Sequence, residues 1–198
     1  MENDLFPDSI NPQAFGLDSL RHNMATFFGI YPSVEDLPRV VEWQRRICRQ
    51  VAPMGISQRR PELLHITVAE CGKPKQQREP LEAILRAAAQ FFSSPSFEVK
   101  LTTIECFGAE DALVAMLDAE STRRVHELRI ALADVQKHFG LSGARGIFRP
   151  HLTLGYSDRL PTEYPAVEPI SFRAHAVDFI TSVYGESKHT QHAHWLLG

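Results

Sequence analysis

Two stretches, His65-Ile66-Thr67-Val68 and His151-Leu152-Thr153-Leu154, repeat the pattern histidine–apolar–threonine–apolar. Alternation of this kind is the signature of a half-buried β-strand. Residues i and i+2 of a strand project from the same side, roughly 6.5–7 Å apart. Each stretch therefore sets an imidazole and a hydroxyl on one surface, with two β-formers in the core behind. Two such strands point to a pair of imidazoles facing one another across a cleft, each with its own hydroxyl donor.

The residues leading into the two motifs repeat one plan. Ahead of the first, Met24–Tyr31 reads as a strand closed by Pro32. Leu37, Val40, Val41, Ile47, Cys48 and Val51 then fall on one stripe of a helix from about Val34 to Val51. A loop with Pro53, Gly55 and Pro61 leads into a strand over Leu63–Glu70, which Gly72 and Pro74 end. Ahead of the second motif, Ala112–Leu117 is an apolar strand, and Ser121 or Thr122 is placed to cap a helix. Val125, Leu128, Leu132, Val135 and Phe139 form that helix's stripe, with Gly140 as its stop. A loop with Gly143, Gly146 and Pro150 then enters the strand His151–Tyr156. Met24 precedes His65 by 41 positions and Ala112 precedes His151 by 39, so the halves match in order and spacing.

Between the halves lie a second helix, carrying Leu81, Ile84, Leu85, Ala88 and Phe92, and an alternating strand over Phe97–Ile104. After Tyr156, a connection with Pro161, Pro165 and Pro169 precedes a strand over Ala176–Tyr184, a polar turn at Gly185–Lys188 and a last strand near His192–Leu197. Residues 1–22 show no period and read as an irregular extension, leaving 23–198 as a single domain. The expected class is α+β and bilobed: two pseudo-symmetric, mainly antiparallel sheet lobes with outer helices, each presenting one motif to a central cleft.

Bulk properties narrow the partners. Apolar runs such as Phe27–Tyr31 are far too short to cross a bilayer. The acidic start, Met1 to Asn11, lacks the features of a signal peptide. Three cysteines (Cys48, Cys71, Cys106) without a C-x-x-C pair read as reduced thiols, which implies a cytoplasmic protein. A net charge of -3 and a pI near 6.3 argue against an extended nucleic-acid groove. They leave room for one terminal nucleotide, held by a few cations among Arg59, Arg60, Arg145 and Arg149. A monomer is expected.

The motif chemistry suits a phosphodiester. Hydrolysis removes a proton from water and gives one to the departing oxygen, and histidine's ordinary pKa of about 6.5 lets one imidazole be neutral while another is protonated. Thr67 and Thr153 supply fixed donors for charge developing on phosphate oxygens, and Arg149 adds a charge-assisted contact. No metal or other cofactor is required.

These residues resemble the two-histidine (2H) phosphoesterases, and among them the RNA 2′,3′-cyclic phosphodiesterases also called 2′-5′ RNA ligases. Pro61-Glu62-Leu63-Leu64-His65 and Phe148-Arg149-Pro150-His151 match the approach to the two motifs, and Ser182 to Trp195 is similar to the last hairpin. The first motif departs from the family in continuing Ala69-Glu70-Cys71-Gly72 instead of a more apolar run. The resemblance implies hydrolysis of a 2′,3′-cyclic phosphate to a 2′-phosphate, with RNA 3′ ends or small cyclic nucleotides as partners. It assigns His65 as proton donor to the leaving 3′ oxygen and His151 as the base, with Thr67 and Thr153 on the phosphate; the near-symmetry of the motifs by itself leaves that division open. Ser182 and Tyr184, on one strand face, are expected to contact nucleotide or phosphate.

Three other readings compete: the same site acting on another cyclic nucleotide or 2′-5′-linked RNA, a non-catalytic RNA-end binding module, and a metal site. The last would use His192 and His194, which share a face on a regular strand, with His189 nearby. A thiol nucleophile at Cys71 lacks supporting residues.

Overall fold

The computed structural model describes residues 24–51, 55–70, 93–107, 111–138, 148–161, 163–183 and 188–198. Its elements, in chain order, are β1 (Met24–Ile30), α1 (Leu37–Val51), β2 (Ser57–Gln58), a 3-10 turn at Pro61–Leu63, β3 (Ile66–Glu70), β4 (Phe97–Phe107), β5 (Ala112–Leu117), α2 (Ala119–His138), β6 (His151–Tyr156), β7 (Ile170–Ala174), β8 (Ala176–Val183) and β9 (Lys188–Leu196).

The strands pair antiparallel in the order β7-β4-β5-β6-β3-β1-β8-β9, with β2 added beside β6. The two motif strands, β6 and β3, are neighbours at the centre, yet Ile66↔Leu152 is their single paired position. By contrast β1 and β8 pair from Met24↔Val183 to Gly29↔Asp178. One bridge thus joins two four-strand halves, and the sheet curls about it. In each half a β-strand, a helix and a motif strand follow in sequence, with the two strands adjacent: β1 beside β3, and β5 beside β6.

α1 packs on β6 and β7, whereas α2 packs on β3, β4 and β5. Each helix therefore lies behind the other half's motif strand. The α1 stripe is as the spacing predicts: Val40, Val41, Ile47, Cys48 and Val51 are buried, while Glu42, Arg45, Arg46 and Arg49 face solvent. The same core takes in Ile66 and Val68 of β3, Leu152 and Leu154 of β6, and Leu128 and Leu132 of α2.

Several local expectations shift for identifiable reasons. α1 begins at Leu37 instead of Val34, because Val34 is exposed in a turn that the Ser33 hydroxyl closes by accepting from the Asp36 backbone N–H (3.1 Å). The α2 cap is Asp118, whose carboxylate accepts from the Ser121 backbone N–H at 2.8 Å. Ser121 is buried, and its hydroxyl accepts from the Lys100 backbone N–H (2.9 Å), tying α2 to β4. The proline-containing connection after Tyr156 hides β7, an edge strand on β4. β2 is too short to show any alternation. The expected helix over 81–92 and the extension 1–22 lie outside the described residues.

Candidate active site

The central bridge decides what faces the cleft. Ile66 and Leu152 point into the core and are fully buried. In an antiparallel pair centred on 66 and 152, His65 lies across from Thr153 and Thr67 across from His151. All four are half-buried between fully buried neighbours, so they share the face opposite the core. The two imidazoles and two hydroxyls that the motifs predict are brought together on one surface. Gly29 of β1, opposite Thr67, has no side chain to crowd that hydroxyl, and a Cβ there would meet the Phe27 ring at 3.1 Å.

Both rings are oriented in the same way. Nδ1 of His65 bonds the Leu63 carbonyl (2.7 Å), and Nδ1 of His151 bonds the Arg149 carbonyl (2.9 Å). A carbonyl only accepts, so each Nδ1 carries the proton and each Nε2 is the nitrogen left for chemistry. The carbonyl lies two residues before the histidine in each case.

Their surroundings differ. His65 is stacked on Phe27 (4.8 Å between centroids) and on Tyr31 (5.4 Å), with His189 edge-on at 4.9 Å. Desolvation inside this ring cage, against the Leu63 hydrogen bond and with the charges of His189 and Arg59 adding, pushes the His65 pKa down to about 3. His151 has a single ring neighbour among the described residues, Phe107 of β4, edge-on at 4.6 Å.

His189 and Tyr31 belong to the cage. His189 lies opposite Ser182 in the β8–β9 ladder, and its Nδ1 is 2.7 Å from the Tyr31 hydroxyl. Desolvation and then Arg59 lower its pKa to about 4. Arg59 itself donates from Nε to the Leu63 carbonyl (3.1 Å), so that one carbonyl holds both the guanidinium and His65, and it reaches the Tyr156 hydroxyl at 2.8 Å.

Behind the site, each helix sends one buried polar side chain to the opposite motif. Gln44 of α1 donates to the Leu154 carbonyl (2.7 Å) and the Arg59 carbonyl (2.8 Å). Arg129 of α2 donates to the Val68 carbonyl (3.0 Å) and lies over the Phe148 ring at 4.3 Å. Val68 and Leu154 are the fourth residues of their motifs, so the two braces are equivalent under the pseudo-symmetry.

The other predicted contacts distribute unevenly. Arg149 pairs with Glu105 (2.6 Å) and lies over Phe107, at the cleft face beside His151. Ser182 is beside His189, and Tyr184 lies outside the described residues. The face shared by His192 and His194 is not formed. A bulge between Phe179 and Ile180 turns His192 toward Thr181 (3.1 Å) and the Phe179 ring, while His194 pairs with Asp178 (2.6 Å). Among the described residues no three His, Cys, Asp or Glu side chains gather as metal ligands. Phe27, Tyr31, Phe107, Gln44 and Arg129 carry no motif signal. The one available clue was a polar residue beside each apolar helix stripe, Gln44 and Arg129.

A curled antiparallel sheet with, among the described residues, two helices behind it and a His-x-Thr strand from each half at its centre is the two-histidine phosphoesterase fold. The family model of the 2'-5' RNA ligase superfamily matches residues 32–183, and the chain belongs to that superfamily. Among solved structures, a phosphoesterase is 19% identical over 88% of this chain and 98% of its own, with a TM-score of 0.69. E. coli LigT complexed with ATP is 18% identical over 88% of this chain and 98% of its own, at 0.68. TT0787 of Thermus thermophilus is 19% identical over 87% and 97%, at 0.63. At this identity the likeness carries the fold. Among curated proteins none matches the sequence.

Proposed function

We propose that this protein hydrolyses the 2′,3′-cyclic phosphate at an RNA end, or on a small nucleotide, to a 2′-phosphate, with His65 and His151 as a metal-independent acid/base pair. The observation that carries this reading is the Ile66↔Leu152 bridge, which puts His65, Thr67, His151 and Thr153 on one cleft face. A phosphate over that bridge has an imidazole on each side, as an in-line attack by water requires. His151 takes the water's proton as the P–O bond forms, and His65 protonates the 3′ oxygen as its bond to phosphorus breaks. Thr67 and Thr153, whose hydroxyls have no protein partner among the described residues, hold the non-bridging oxygens. E. coli LigT has been crystallised with 3'-AMP, a nucleoside phosphate.

This division asks His65 to gain a proton as substrate binds, and the anionic phosphate beside it favours that change. No helix among the described residues is long and apolar enough to cross a membrane. The free thiols of Cys48 and Cys106 suit the cytoplasm, which is where we place the reaction.

The test is a short RNA ending in a 2′,3′-cyclic phosphate, incubated with EDTA-treated protein and with His65→Ala and His151→Ala. Turnover to a 2′-phosphate, reduced about 10²–10⁴-fold by each substitution, is expected. Affinity for RNA ends without turnover would replace the enzyme by a binding module. Turnover of other cyclic nucleotides or 2′-5′-linked RNA alone would keep the site and change the substrate.

A further inference from the structure

Tyr31 and His189 give the cleft wall beside His65 a second fixed polarity. Both lie against the His65 ring, and His189 also sits edge-on to Phe27 at 5.5 Å. Burial first, and the charge of Asp178 second, hold the Tyr31 phenol above its ordinary pKa, so its oxygen keeps a proton to donate. Nδ1 of His189 lies 2.7 Å from that hydroxyl, and it accepts the phenol's proton when the imidazole carries its own hydrogen on Nε2. A neutral imidazole that accepts at Nδ1 carries its own hydrogen on Nε2. His65 is the reverse case, since its Nδ1–H is committed to Leu63 and its Nε2 is bare in the neutral ring. With the Tyr31 hydroxyl as donor, the two touching imidazoles hold opposite tautomers, one offering a lone pair and the other an uncharged N–H.

We propose that His189 is a third histidine of the site, donating its Nε2–H to a non-bridging oxygen of the bound phosphate, with Tyr31 as the positioning residue that sets its tautomer. The proposal rests on the phosphoesterase reading and adds a specific donor to it. A phosphate over β3 has Thr67 beneath it on the His65 side, and an N–H from β9 completes the set of donors on that half of the cleft. A fixed neutral donor is suited to charge that grows in the transition state, because it needs no reorganisation as the reaction proceeds. It also leaves His65 free of a competing charged imidazole.

Two amide substitutions separate this role from simple packing. In His189→Gln the side-chain amide N–H lies where Nε2–H was. In His189→Asn the amide oxygen lies where Nδ1 was, which keeps the Tyr31 contact and removes the donor. Steady-state kinetics on the cyclic-phosphate RNA are expected to show kcat lowered about 10²-fold in His189→Asn, with a smaller change in KM. His189→Gln is expected to retain activity to within about tenfold. Equal losses in both variants, or none in either, would overturn the proposal.

Nitrogen-15 spectra of the histidines supply a readout independent of turnover. The free wild-type protein should show His189 protonated at Nε2 and His65 at Nδ1. Adding 3′-AMP should shift the His189 Nε2–H signal, and Tyr31→Phe should mix the His189 tautomers. A His189 protonated at Nδ1, or a signal unmoved by a nucleotide that does bind, overturns the inference. Wild-type protein that shows the tautomers and the 3′-AMP shift without hydrolysing the RNA would overturn the cyclic-phosphate reading and leave the donor standing.

Discussion

Nδ1 of each motif histidine donates to the carbonyl two residues back, a contact that a His-x-Thr strand makes with its own entry. Legible in the sequence was the shared face of each histidine and threonine, which strand alternation sets by itself; the carbonyl contact was not read from it. What it does not show is the unequal environment of the two rings. His65 is enclosed by Phe27 and Tyr31 from β1 and its end, and by His189 from β9. Those residues are 34 or more positions away in sequence and carry no shared pattern. An NMR pH titration of the free protein is therefore expected to find His65 neutral through the whole range above pH 5, its transition lying near the value of about 3. In the presence of 3′-AMP the transition should move upward, as the phosphate stabilises the imidazolium. An ordinary titration near 6.5 in the free protein would show the cage to be open.

The two helices act on the site from behind, and each acts on the motif that its own half does not contain. Gln44 reaches the Leu154 and Arg59 carbonyls at once, so it fixes β6 and the chain entering the first motif to one side chain. In Gln44→Leu the buried Leu154 carbonyl and the part-buried Arg59 carbonyl both lose this donor, at a cost of about 1–3 kcal/mol. Thermal unfolding should fall by about 2–12 °C for a domain of this size, and kcat/KM should fall with it. Gly155 has a comparable role through close approach. A Cβ there would lie 2.7 Å from the Ser57 carbonyl oxygen, which forces β2 away from β6. Gly155→Ala should therefore lower both stability and activity, because Arg59 follows directly on β2 and its backbone N–H bonds Leu154. A Tm within about 1 °C of wild type in either variant would remove that brace from the account. β6 and the α1 stripe were legible because one-sided burial imposes a period, and β5 because burial of every residue leaves a continuous apolar run. β2, β7 and the β9 bulge were not, because pairing at an edge and a one-residue insertion leave no period to read.

At the scale of the molecule, a single bridge between halves makes the site a place where burial and titration meet. His65 and His189 both lose water on folding, and both have folded pKa values, about 3 and about 4, below the ordinary 6.5. The unfolded chain binds these protons first as pH falls, so the folded state loses stability between about 6.5 and about 4 from both rings, and from His65 alone further down. Above 6.5 neither ring contributes a slope. Asp36 is held below the usual carboxylate range: partial desolvation opposes its ionisation, but the Arg39 guanidinium and the Arg173 backbone N–H outweigh it. Its stabilisation is present above about 4 and disappears only beneath that. Denaturant midpoints at pH 7, 6 and 5.5 should therefore decline in wild-type protein through a window where ordinary carboxylates hardly titrate. The double variant His65→Asn, His189→Asn should decline much less over the same interval, since asparagine has no proton to gain. Equal slopes in the two proteins would place the acid sensitivity elsewhere than in the ring cage. A shallower slope in the double variant, together with 3′-AMP restoring stability to the wild type at pH 5.5, would tie the cost of burying these imidazoles to the anion that the proposed function places in their cleft.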